Sequence, residues 1–372
     1  MASKLIFTLI LPVLLSALVI VNFFSQASHV LESYSGNKIG LLETVPLVGS
    51  AMGPESFAFD PLGGGPYTGV SDGRVVKWLE HERRWTDFAT TSPNRDGCAG
   101  PNDHQSREHI CGRPLGLKFN VSNGDLYITD AYMGLLKVGS QGGLATRIAT
   151  HEQGLPLAFT NSLDIDQSGG AVYFTDSSSR YHRRNYISVI LSGDKSGRLM
   201  RYDPESQEVN LLVGNLSFPN GVALSKDGDF ILLVETTNCR VMRYWLKEPK
   251  AGTLEVFAQL QGFPDNIKRS PRGGYWVGIH SRKEKVLDLV LSHPWIGNAL
   301  LKLPIDVMKA HAALAKFRGS GLAVRLSEEG EVLETFEDRH GKGLMSISEV
   351  MEKDGNLWIG SVTSPFAARY YI

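Results

Sequence analysis

Six segments of this 372-residue sequence start with similar residues and end in an apolar run that follows a glycine turn. The clearest covers residues 218–235 (FPNGVALSKDGDFILLVE), which opens on Pro-Asn-Gly, alternates apolar and polar residues and turns at Asp-Gly. Near the start of four segments, the corresponding position holds an oxygen-bearing side chain: Glu55, Asn161, Asn220 and Asp265. Asn266 adds a further amide beside the last of these. Carboxylate and amide oxygens are ligands of hard cations, so these residues predict a site for Ca²⁺ or another hard divalent cation.

The position of these residues matters more than their type. Asparagine and aspartate are common in turns, so each residue taken alone fits a purely structural role. Four at one position of a repeat indicate a shared site, because repeats related by rotation bring equivalent positions together. The other two segments have this position near residues 113–115 and at about Ser346. Neither cysteine nor histidine occupies it, which disfavours a soft metal.

The repeats also predict the fold. Each offers three or four short strands joined by Asp-Gly, Asn-Gly or Gly-Gly turns, with a period of roughly 45–60 residues that is typical of propeller blades. We therefore predict an all-β chain, a six-bladed β-propeller that forms a single domain over residues 28–372. A strand starting at Leu41 and the segment 367–372 would share the last blade, which closes the ring and leaves no open sheet edge.

Two insertions interrupt the repeats. Residues 181–196 extend the third blade, and residues 284–317 extend the fifth with an apolar-rich, partly helical run. One interpretation is that these helices pack over the loops of the blades. The other is that they form a lid over the central pocket or a membrane-facing surface, since long loops on a rigid scaffold often set specificity.

Composition and charge argue against one class of protein, those that bind nucleic acid. Hydrophobic residues make up 42% and charged residues 21% of the chain, and the formal net charge is −1. Nucleic-acid binding requires a basic surface, which this balance does not predict. The short basic cluster at residues 180–184 (RYHRR) is interpreted as a solvated loop.

The N-terminal segment differs from the repeats. Lys4 precedes an uncharged apolar run over residues 5–24, followed by small and polar residues. This order is typical of a secretory signal peptide, and the run is also long enough to span a bilayer as a signal anchor. Residues 1–27 therefore predict entry into the secretory pathway, with either cleavage or membrane association through residues 5–24.

The cysteines and two sequons fit that route. Cys98 and Cys111 bracket a polar loop and could close it as a disulfide in an oxidising lumen. Cys239 is left over, and its apolar surroundings in a predicted strand favour a buried free thiol. Asn120 and Asn215 begin glycosylation sequons, which have meaning only if the chain enters the lumen.

Several stretches resemble the strictosidine synthase family of plants, in its strictosidine-synthase-like branch. They include CGRPLGL, LYITDAYMGLLKVG, SGRLMRYDPESQEVNLLV, DNIKRSPRGGYWV and DGNLWIGS, and the resemblance extends from about residue 40 to the end. It implies a six-bladed propeller, a disulfide at the Cys98–Cys111 spacing, and residence in the endoplasmic reticulum or the vacuole.

The chain departs from the family at the catalytic position. Strictosidine synthases condense tryptamine with secologanin through a glutamate that precedes the final Asp-Gly turn. Counting back from Asp354-Gly355 puts Ser348 at that glutamate and Ser346 at a nearby histidine of the family. Glu349 is one residue further along, and we expect it to point to the opposite face of its strand. Since serine cannot serve as the general acid or base of this condensation, strictosidine synthase activity is not expected.

The oxygen-bearing residues resemble those of a sister group, the calcium-dependent lactonases and esterases of the paraoxonase, gluconolactonase and regucalcin type. These enzymes carry a Glu, Asn, Asn, Asp set at the heads of their blades, which matches Glu55, Asn161, Asn220 and Asp265. The resemblance implies metal-dependent hydrolysis of a lactone or an ester, with a small molecule as the substrate.

The general base of such a reaction is not identified. Paraoxonases use a histidine in the region where this chain has Arg113, while Asp130, Asp176 and Glu235 recur at strand ends and fit a structural role. Two alternatives to a hydrolase stay open: a condensing enzyme of alkaloid-type secondary metabolism, and a non-catalytic binding propeller with a structural ion. The sequence carries no signal for the oligomeric state.

Overall fold

The computed structural model describes residues 42–98, 100, 104–283, 285–315, 321–338 and 344–372. Six mainly antiparallel sheets form a ring, so the chain is a six-bladed β-propeller, as the repeats predict. The predicted leader, residues 1–27 with its apolar run 5–24, lies outside the described residues.

Each blade is built on four strands, which pair in chain order in the first five blades, and blade one carries a short fifth strand. The first strand of the chain, β1 (Leu42–Pro46), belongs to the last blade. Blades one and two contain β2 (Phe57–Ala58), β3 (Tyr67–Gly69), β4 (Arg74–Leu79) and β5 (Arg84–Thr90), then β6 (Pro114–Phe119), β7 (Leu126–Asp130), β8 (Gly134–Val138) and β10 (Thr146–Ala149). The short β9 (Gly143–Leu144) extends blade one beside β5, and β11 (His151–Glu152) pairs with β12 (Leu155–Pro156).

The remaining blades follow the same order. Blades three and four contain β13 (Thr160–Ile165), β14 (Val172–Asp176), β15 (Gly197–Asp203) and β16 (Glu208–Leu216), then β17 (Pro219–Leu224), β18 (Phe230–Glu235), β19 (Arg240–Trp245) and β20 (Leu254–Gln259). Blades five and six contain β21 (Gly262–Arg269), β22 (Tyr275–Arg282), β23 (Leu322–Leu326) and β24 (Val332–Glu337), then β25 (Ile347–Lys353), β26 (Asn356–Ser361) and β27 (Phe366–Tyr371).

The two ends of the described chain close the ring in the predicted way. Strand β1 pairs antiparallel with β27, with Leu42 opposite Tyr370 and Pro46 opposite Phe366. The last blade is therefore built from both ends of the described chain, and this pairing closes the ring.

The core lies between the blades as a series of apolar clusters. Between blades four and five, for example, Leu232 and Val234 pack with Ile267 and Val277, all of them buried. The first strands of neighbouring blades contact one another around the central channel. This contact is close: a Cβ on Gly221 would lie 2.5 Å from the main-chain nitrogen of Ile267, so only glycine fits there.

Five α-helices and one 3₁₀ turn (Arg183–Asn185) lie outside the sheets in the described part of the chain. They are α1 (His104–Cys111), α2 (Tyr186–Ser192), α3 (Lys285–Ser292), α4 (Pro294–Leu300) and α5 (Val307–Ala315). The last three form the helical insertion predicted in blade five. Helix α2 comes from the blade-three insertion and packs on α4, where a Cβ on Gly297 would lie 1.8 Å from the Leu191 carbonyl oxygen. None of the described helices is long and apolar enough to cross a membrane.

Candidate functional site

Strand pairing fixes which residues are equivalent in the six blades. In blades three to six the inner strand pairs with the second strand through Leu163, Val222, Ile267 and Val350. Two residues before each of these stand Asn161, Asn220, Asp265 and Ser348, and blade two has Leu115 there. The sixth position is therefore Ser348, which corrects the expected position at Ser346 by two residues.

Hydroxyl groups join these equivalent positions at four of the six junctions between blades, and the series includes Glu55 in blade one. In each case a serine or threonine donates a hydrogen bond to a main-chain oxygen of the next blade. The bonds are Ser56 to Leu115, Thr129 to Asn161, Thr175 to Asn220 and Ser348 to Glu55. The side chains of the ring positions are thus held on a common level by neighbouring blades.

Hydrogen bonds bring the predicted ligand residues together across the channel. Asn220 donates its side-chain amide to Asp265 Oδ1 at 2.6 Å. Asn266 donates to Glu55 Oε1 at 3.1 Å, which spans from blade five to blade one past blade six. Asn161, one blade before Asn220, donates to the hydroxyl of Ser177 at 3.0 Å. All five predicted oxygen-bearing side chains therefore lie in this layer of the channel, and four of them form hydrogen-bonded pairs.

Each of these asparagine side chains donates a hydrogen bond through its amide nitrogen, and its amide oxygen has no hydrogen-bond partner in the described part of the chain. Among the residues that the structure describes, four side-chain oxygens of this layer are buried without a hydrogen-bond partner: Glu55 Oε2, Asn161 Oδ1, Asn220 Oδ1 and Asn266 Oδ1. Buried polar atoms are normally paired, and orphaned oxygens at one level are what a bound cation would satisfy. No group of three or more His, Cys, Asp and Glu side chains that could hold a metal occurs in the described residues, so amides would have to supply much of the coordination.

The electrostatics of the layer favour a positive charge. Burial raises the pKa of Glu55 to about 7, an effect that Arg113 opposes and Glu349 reinforces. Burial and the nearby Glu55 carboxylate raise the pKa of Asp265 well above its usual value. Two carboxylates that resist ionisation in one buried layer would both be stabilised as anions by a cation between them.

The structure corrects the expectation for Glu349. A break in the β25–β26 pairing between Ile347 and Val350 turns Ser348 and Glu349 toward the same neighbouring blade. Glu349 Oε1 accepts a hydrogen bond from the Phe57 main-chain nitrogen at 2.7 Å, and Lys268 lies 3.5 Å from its other oxygen. Glu349 is buried at the channel and does not point to the opposite face. Its Oε1 is hydrogen-bonded, whereas Oε2 lies at ion-pair distance from Lys268 without a hydrogen bond to any described residue.

A second correction concerns the basic cluster at residues 180–184. Arg180 and Arg184 are exposed, as expected for a solvated loop, but Arg183 is largely buried and pairs with Glu108 on α1. Glu108 also accepts a hydrogen bond from Tyr132 at 3.0 Å. Since Glu108 and Arg183 are 75 residues apart, neither composition nor periodicity could have joined them. For that reason neither residue is among those predicted from the sequence.

Arg113 completes this charged cluster. Its side chain is fully buried, its Nη2 donates to the Gly53 main-chain oxygen at 2.9 Å, and its Nε lies 3.8 Å from Glu108. Burial lowers the pKa of Arg113 to about 10, and neighbouring Arg183 acts in the same direction. Arg113 therefore stays charged at neutral pH, beside the carboxylate layer.

The recurring strand-end carboxylates have structural partners. Asp130, Asp176 and Glu235 accept hydrogen bonds at 2.7 Å from the main-chain nitrogens of Arg113, Phe159 and Ser217, respectively. Each thereby fixes the segment that leads into the inner strand of its own blade. This supports the structural role expected from their recurrence.

The insertions cover the mouth of the channel. Val189 of α2 is fully buried against Leu115, Phe159 and Phe218, which form an apolar cluster above the ligand layer. The two interpretations of the insertions coincide here, because packing over the blade loops also places a helix over the mouth.

Aromatic side chains and histidines continue this cover. Tyr186, at the start of α2, contacts the rings of His280 on β22 and His311 on α5. The Tyr186 hydroxyl lies 3.2 Å from His311 Nδ1, and the two imidazoles stack at 6.1 Å between centroids. The cover therefore carries imidazole groups, whereas the equivalent inner-strand positions hold no histidine.

The structure can be compared with the predictions for the three cysteines and the two glycosylation sequons. Cys98 and Cys111 form a disulfide, and Cys239 is a buried free thiol, though it lies in the turn before β19 and not in a strand. Asn215 is exposed, whereas Asn120 is buried and its side-chain oxygen accepts hydrogen bonds from Ser122. Glycosylation stays a prediction, and exposure favours Asn215 over Asn120.

The sequence is similar to strictosidine synthases and to strictosidine synthase-like proteins. A strictosidine synthase model matches residues 161–249, and a model of the N-terminal part of strictosidine synthase-like proteins matches residues 37–78. The chain is 57% identical over 335 residues to the protein strictosidine synthase-like 2 of Arabidopsis thaliana, covering 88% of this chain and 89% of that protein. It is 38% identical over 327 residues to an adipocyte plasma membrane-associated protein of Salmo salar, covering 86% and 75% of the two chains.

Solved structures share the fold at low sequence identity. A gluconolactonase from Xanthomonas campestris superposes with a TM-score of 0.57 at 12% identity, covering 89% of each chain. The calcium-binding protein regucalcin from Agrobacterium tumefaciens gives a TM-score of 0.54 at 16% identity, covering 88% of this chain and 92% of its own. At such identities the likeness establishes the propeller fold alone.

Proposed function

The chain belongs to the strictosidine synthase-like family, and we propose that within it the protein is a divalent-cation-dependent hydrolase of a lactone or an ester. The observation that carries the proposal is the set of four buried, unpartnered oxygens on Glu55, Asn161, Asn220 and Asn266. Leaving several buried polar atoms unpaired is costly, with roughly 1–3 kcal/mol lost for each, so a ligand that pairs them is favoured. A hard cation, with Ca²⁺ the first candidate, has the matching preference for oxygen.

In this proposal the residues of the layer bind the cation, and those of the cover exclude bulk water. Glu55, Asn161, Asn220, Asp265 and Asn266 would hold the cation, and a cation there supplies Lewis-acid polarisation of the substrate carbonyl. The apolar cover of the mouth keeps bulk water out of the layer, which strengthens every electrostatic interaction inside it. The substrate in this proposal is a small molecule that enters beneath the α2 cover.

His280 is our candidate for the general base. In blade five Ile279 pairs with Pro264, and in blade three Asp176 pairs with Thr160 at the equivalent position. His280, which follows Ile279, is therefore equivalent to Ser177, which follows Asp176. The Ser177 hydroxyl reaches the ligand-layer residue of its own blade at 3.0 Å. By analogy with Ser177 and Asn161, the rotation of the blades would put His280 near Asp265. Imidazole has an ordinary pKa near neutrality, which suits activation of a water molecule.

The condensing alternative has less support. Ser348 is fully buried and its hydroxyl donates to the Glu55 main-chain oxygen, while Glu349 is engaged by Phe57 and Lys268. Ser348, at the position expected for the catalytic glutamate, thus offers no acid, while in the described structure the neighbouring Glu349 has one oxygen without a hydrogen-bond partner. A non-catalytic propeller with a structural ion is the second alternative, and activity measurements separate it from the hydrolase.

We also propose an oxidising compartment of the secretory pathway, the endoplasmic reticulum or the vacuole, as the place of action. The Cys98–Cys111 disulfide supports this, because such bonds persist mainly in oxidising compartments.

The experiment is hydrolysis of phenyl acetate and of a simple δ-lactone by purified protein, before and after chelation and after Ca²⁺ is restored. We expect activity to vanish with chelator, to return with Ca²⁺, and to fall at least tenfold in Asn220→Ala. Asn210→Ala, on an exposed outer strand, is the matched control and should keep wild-type activity. Activity insensitive to both chelation and Asn220→Ala would overturn the metal mechanism, and cation binding without any hydrolysis would favour the non-catalytic propeller.

A further inference from the structure

Arg113 is buried with more hydrogen-bond donors than acceptors around it. Within the described part of the chain, its Nε and Nη1 groups have no hydrogen-bond partner, although the side chain is fully buried. The nearest carboxylate is Glu108, which lies 3.8 Å from Nε and is already engaged by Arg183 and Tyr132. A buried guanidinium left in this way is a donor set that awaits an acceptor.

Main-chain hydrogen bonds place Arg113 on the mouth of the candidate site. Its main-chain oxygen accepts from Ala131, as that of Phe159 accepts from Ser177 and that of Phe218 from Thr236. These equivalent bonds put Arg113, Phe159 and Phe218 at one level in blades two, three and four. Each stands two residues before the ring position of its blade, so this level lies directly at the entrance to the ligand layer.

The mouth is therefore two-sided. Phe159 and Phe218 lie 5.6 Å apart between ring centroids and pack with Leu115 and Val189 on an apolar side. Arg113 stands on the other side, toward blade one, where its Nη2 reaches Gly53. A ligand that spans the mouth would meet an aromatic surface at one end and a buried cation at the other.

The carboxylates around the mouth are engaged elsewhere. Glu108 pairs with Arg183, and Asp130 accepts hydrogen bonds from the main-chain nitrogens of Arg113, Tyr132 and Met133. In the described part of the mouth, no carboxylate therefore forms a hydrogen bond with Nε or Nη1 of Arg113. An anion bound there would be attracted both by the positive charge of Arg113 and by its Nη1 donor.

We propose that Arg113 is an anion-binding subsite, and that the substrate carries a carboxylate on one side of an apolar body. The carboxylate accepts from Arg113 while the apolar body lies against Phe159 and Phe218. This inference rests on the proposed function for the identity of the substrate as an ester or lactone. The binding of a carboxylate at Arg113 does not itself require hydrolysis.

The test measures binding by titration calorimetry on the Ca²⁺-saturated protein, without turnover. The probes are 3-phenylpropanoate and its neutral match, 3-phenylpropanamide. We expect the carboxylate to bind more tightly than the amide, and Arg113→Met to weaken carboxylate binding by roughly tenfold or more. Arg84→Met, which alters an exposed arginine at the start of β5 in blade one, is the control and should bind as the wild type does.

Two results would overturn the subsite: equal affinity for carboxylate and amide, or undiminished carboxylate binding in Arg113→Met, which would place the carboxylate on the cation. If Arg113→Met does not fold, Arg113→Lys keeps the charge but not the guanidinium, and we expect several-fold weaker binding. Unchanged affinity in Arg113→Lys would contradict the proposal. Hydrolysis of neutral esters without carboxylate binding would refute this subsite alone, whereas carboxylate binding without hydrolysis would refute only the proposed function.

Discussion

The Ser348 hydroxyl donates a hydrogen bond to the main-chain oxygen of Glu55 at 2.6 Å, and both residues are buried. Counting back from Asp354-Gly355 predicts Ser348 at the position of the catalytic glutamate of strictosidine synthases, and in this structure it supports a residue of the oxygen-rich layer. The hydroxyl of Ser348 therefore holds the main chain of one residue of the proposed cation site. The same bond type recurs from Thr129 to Asn161 and from Thr175 to Asn220.

Replacing Ser348 with alanine should weaken cation binding. The variant leaves the Glu55 main-chain oxygen without its buried partner, which costs about 1–3 kcal/mol, and frees the carboxylate to move. We expect roughly tenfold lower Ca²⁺ affinity by calorimetry and a lower melting temperature. Ser168→Ala, which removes an exposed hydroxyl bonded to Asp166, is the control. Wild-type affinity in Ser348→Ala would show that the bond does not position Glu55.

The pH dependence of stability should report on buried carboxyl groups with raised pKa values, which include Glu55 and Asp265 of the proposed site and act in the same direction as Asp130, Asp176 and Glu349. Because burial raises the pKa of Glu55 to about 7 and that of Asp265 well above normal, the cation-free folded protein holds protons that the unfolded chain releases. Their contribution to stability is present below the unfolded pKa and is lost as the pH rises through the folded pKa. The cation-free protein should therefore melt at lower temperature at pH 8 than at pH 5.5.

A bound cation reverses this trend because it binds the ionised carboxylates. The drop in melting temperature on adding chelator should therefore grow from pH 5.5 to pH 8, measured by thermal unfolding at constant ionic strength. A chelator effect that is constant with pH, or larger at pH 5.5, would contradict the assignment of Glu55 and Asp265 to the cation.

The sequence predicts this site better than it predicts the surroundings of the site. Equivalent positions in repeats of similar length converge by rotation, so the repeat pattern alone groups Asn161, Asn220 and Asp265. It does not join Arg183 to Glu108, because that pair depends on an insertion folding back over a disulfide-bonded loop. The prediction for Glu349 was wrong because strict alternation along a strand does not anticipate the irregular pairing near Ile347.

Replacing His280 with glutamine should separate chemistry from cation binding. If His280 is the general base, kcat falls by roughly hundredfold or more while Ca²⁺ affinity stays at the wild-type level. The pH profile of kcat should also lose the decline at acidic pH that protonation of the histidine causes. His81→Gln, in an exposed turn of blade one, is the matched control. A variant that keeps both its kcat and its pH profile would remove His280 from the mechanism.

The Cys98–Cys111 disulfide should stabilise the charged cluster at the mouth. Helix α1 ends at Cys111 and carries Glu108, which holds Arg183 of the blade-three insertion. Replacing both cysteines with serine removes the constraint on the loop between them, at a cost of about 2–4 kcal/mol in the free energy of unfolding.

We therefore expect the double variant to melt at lower temperature and to be cut faster by protease within the insertion. Dithiothreitol should lower the melting temperature of the wild type and leave that of the double variant unchanged, which controls for other effects of the reductant. Equal protease rates with a lowered melting temperature would mean that the disulfide stabilises the fold without holding the cover. Because Glu108 is the one acidic partner that Arg113 and Arg183 share at the described mouth, faster cleavage would link the bond to the geometry of the anion subsite.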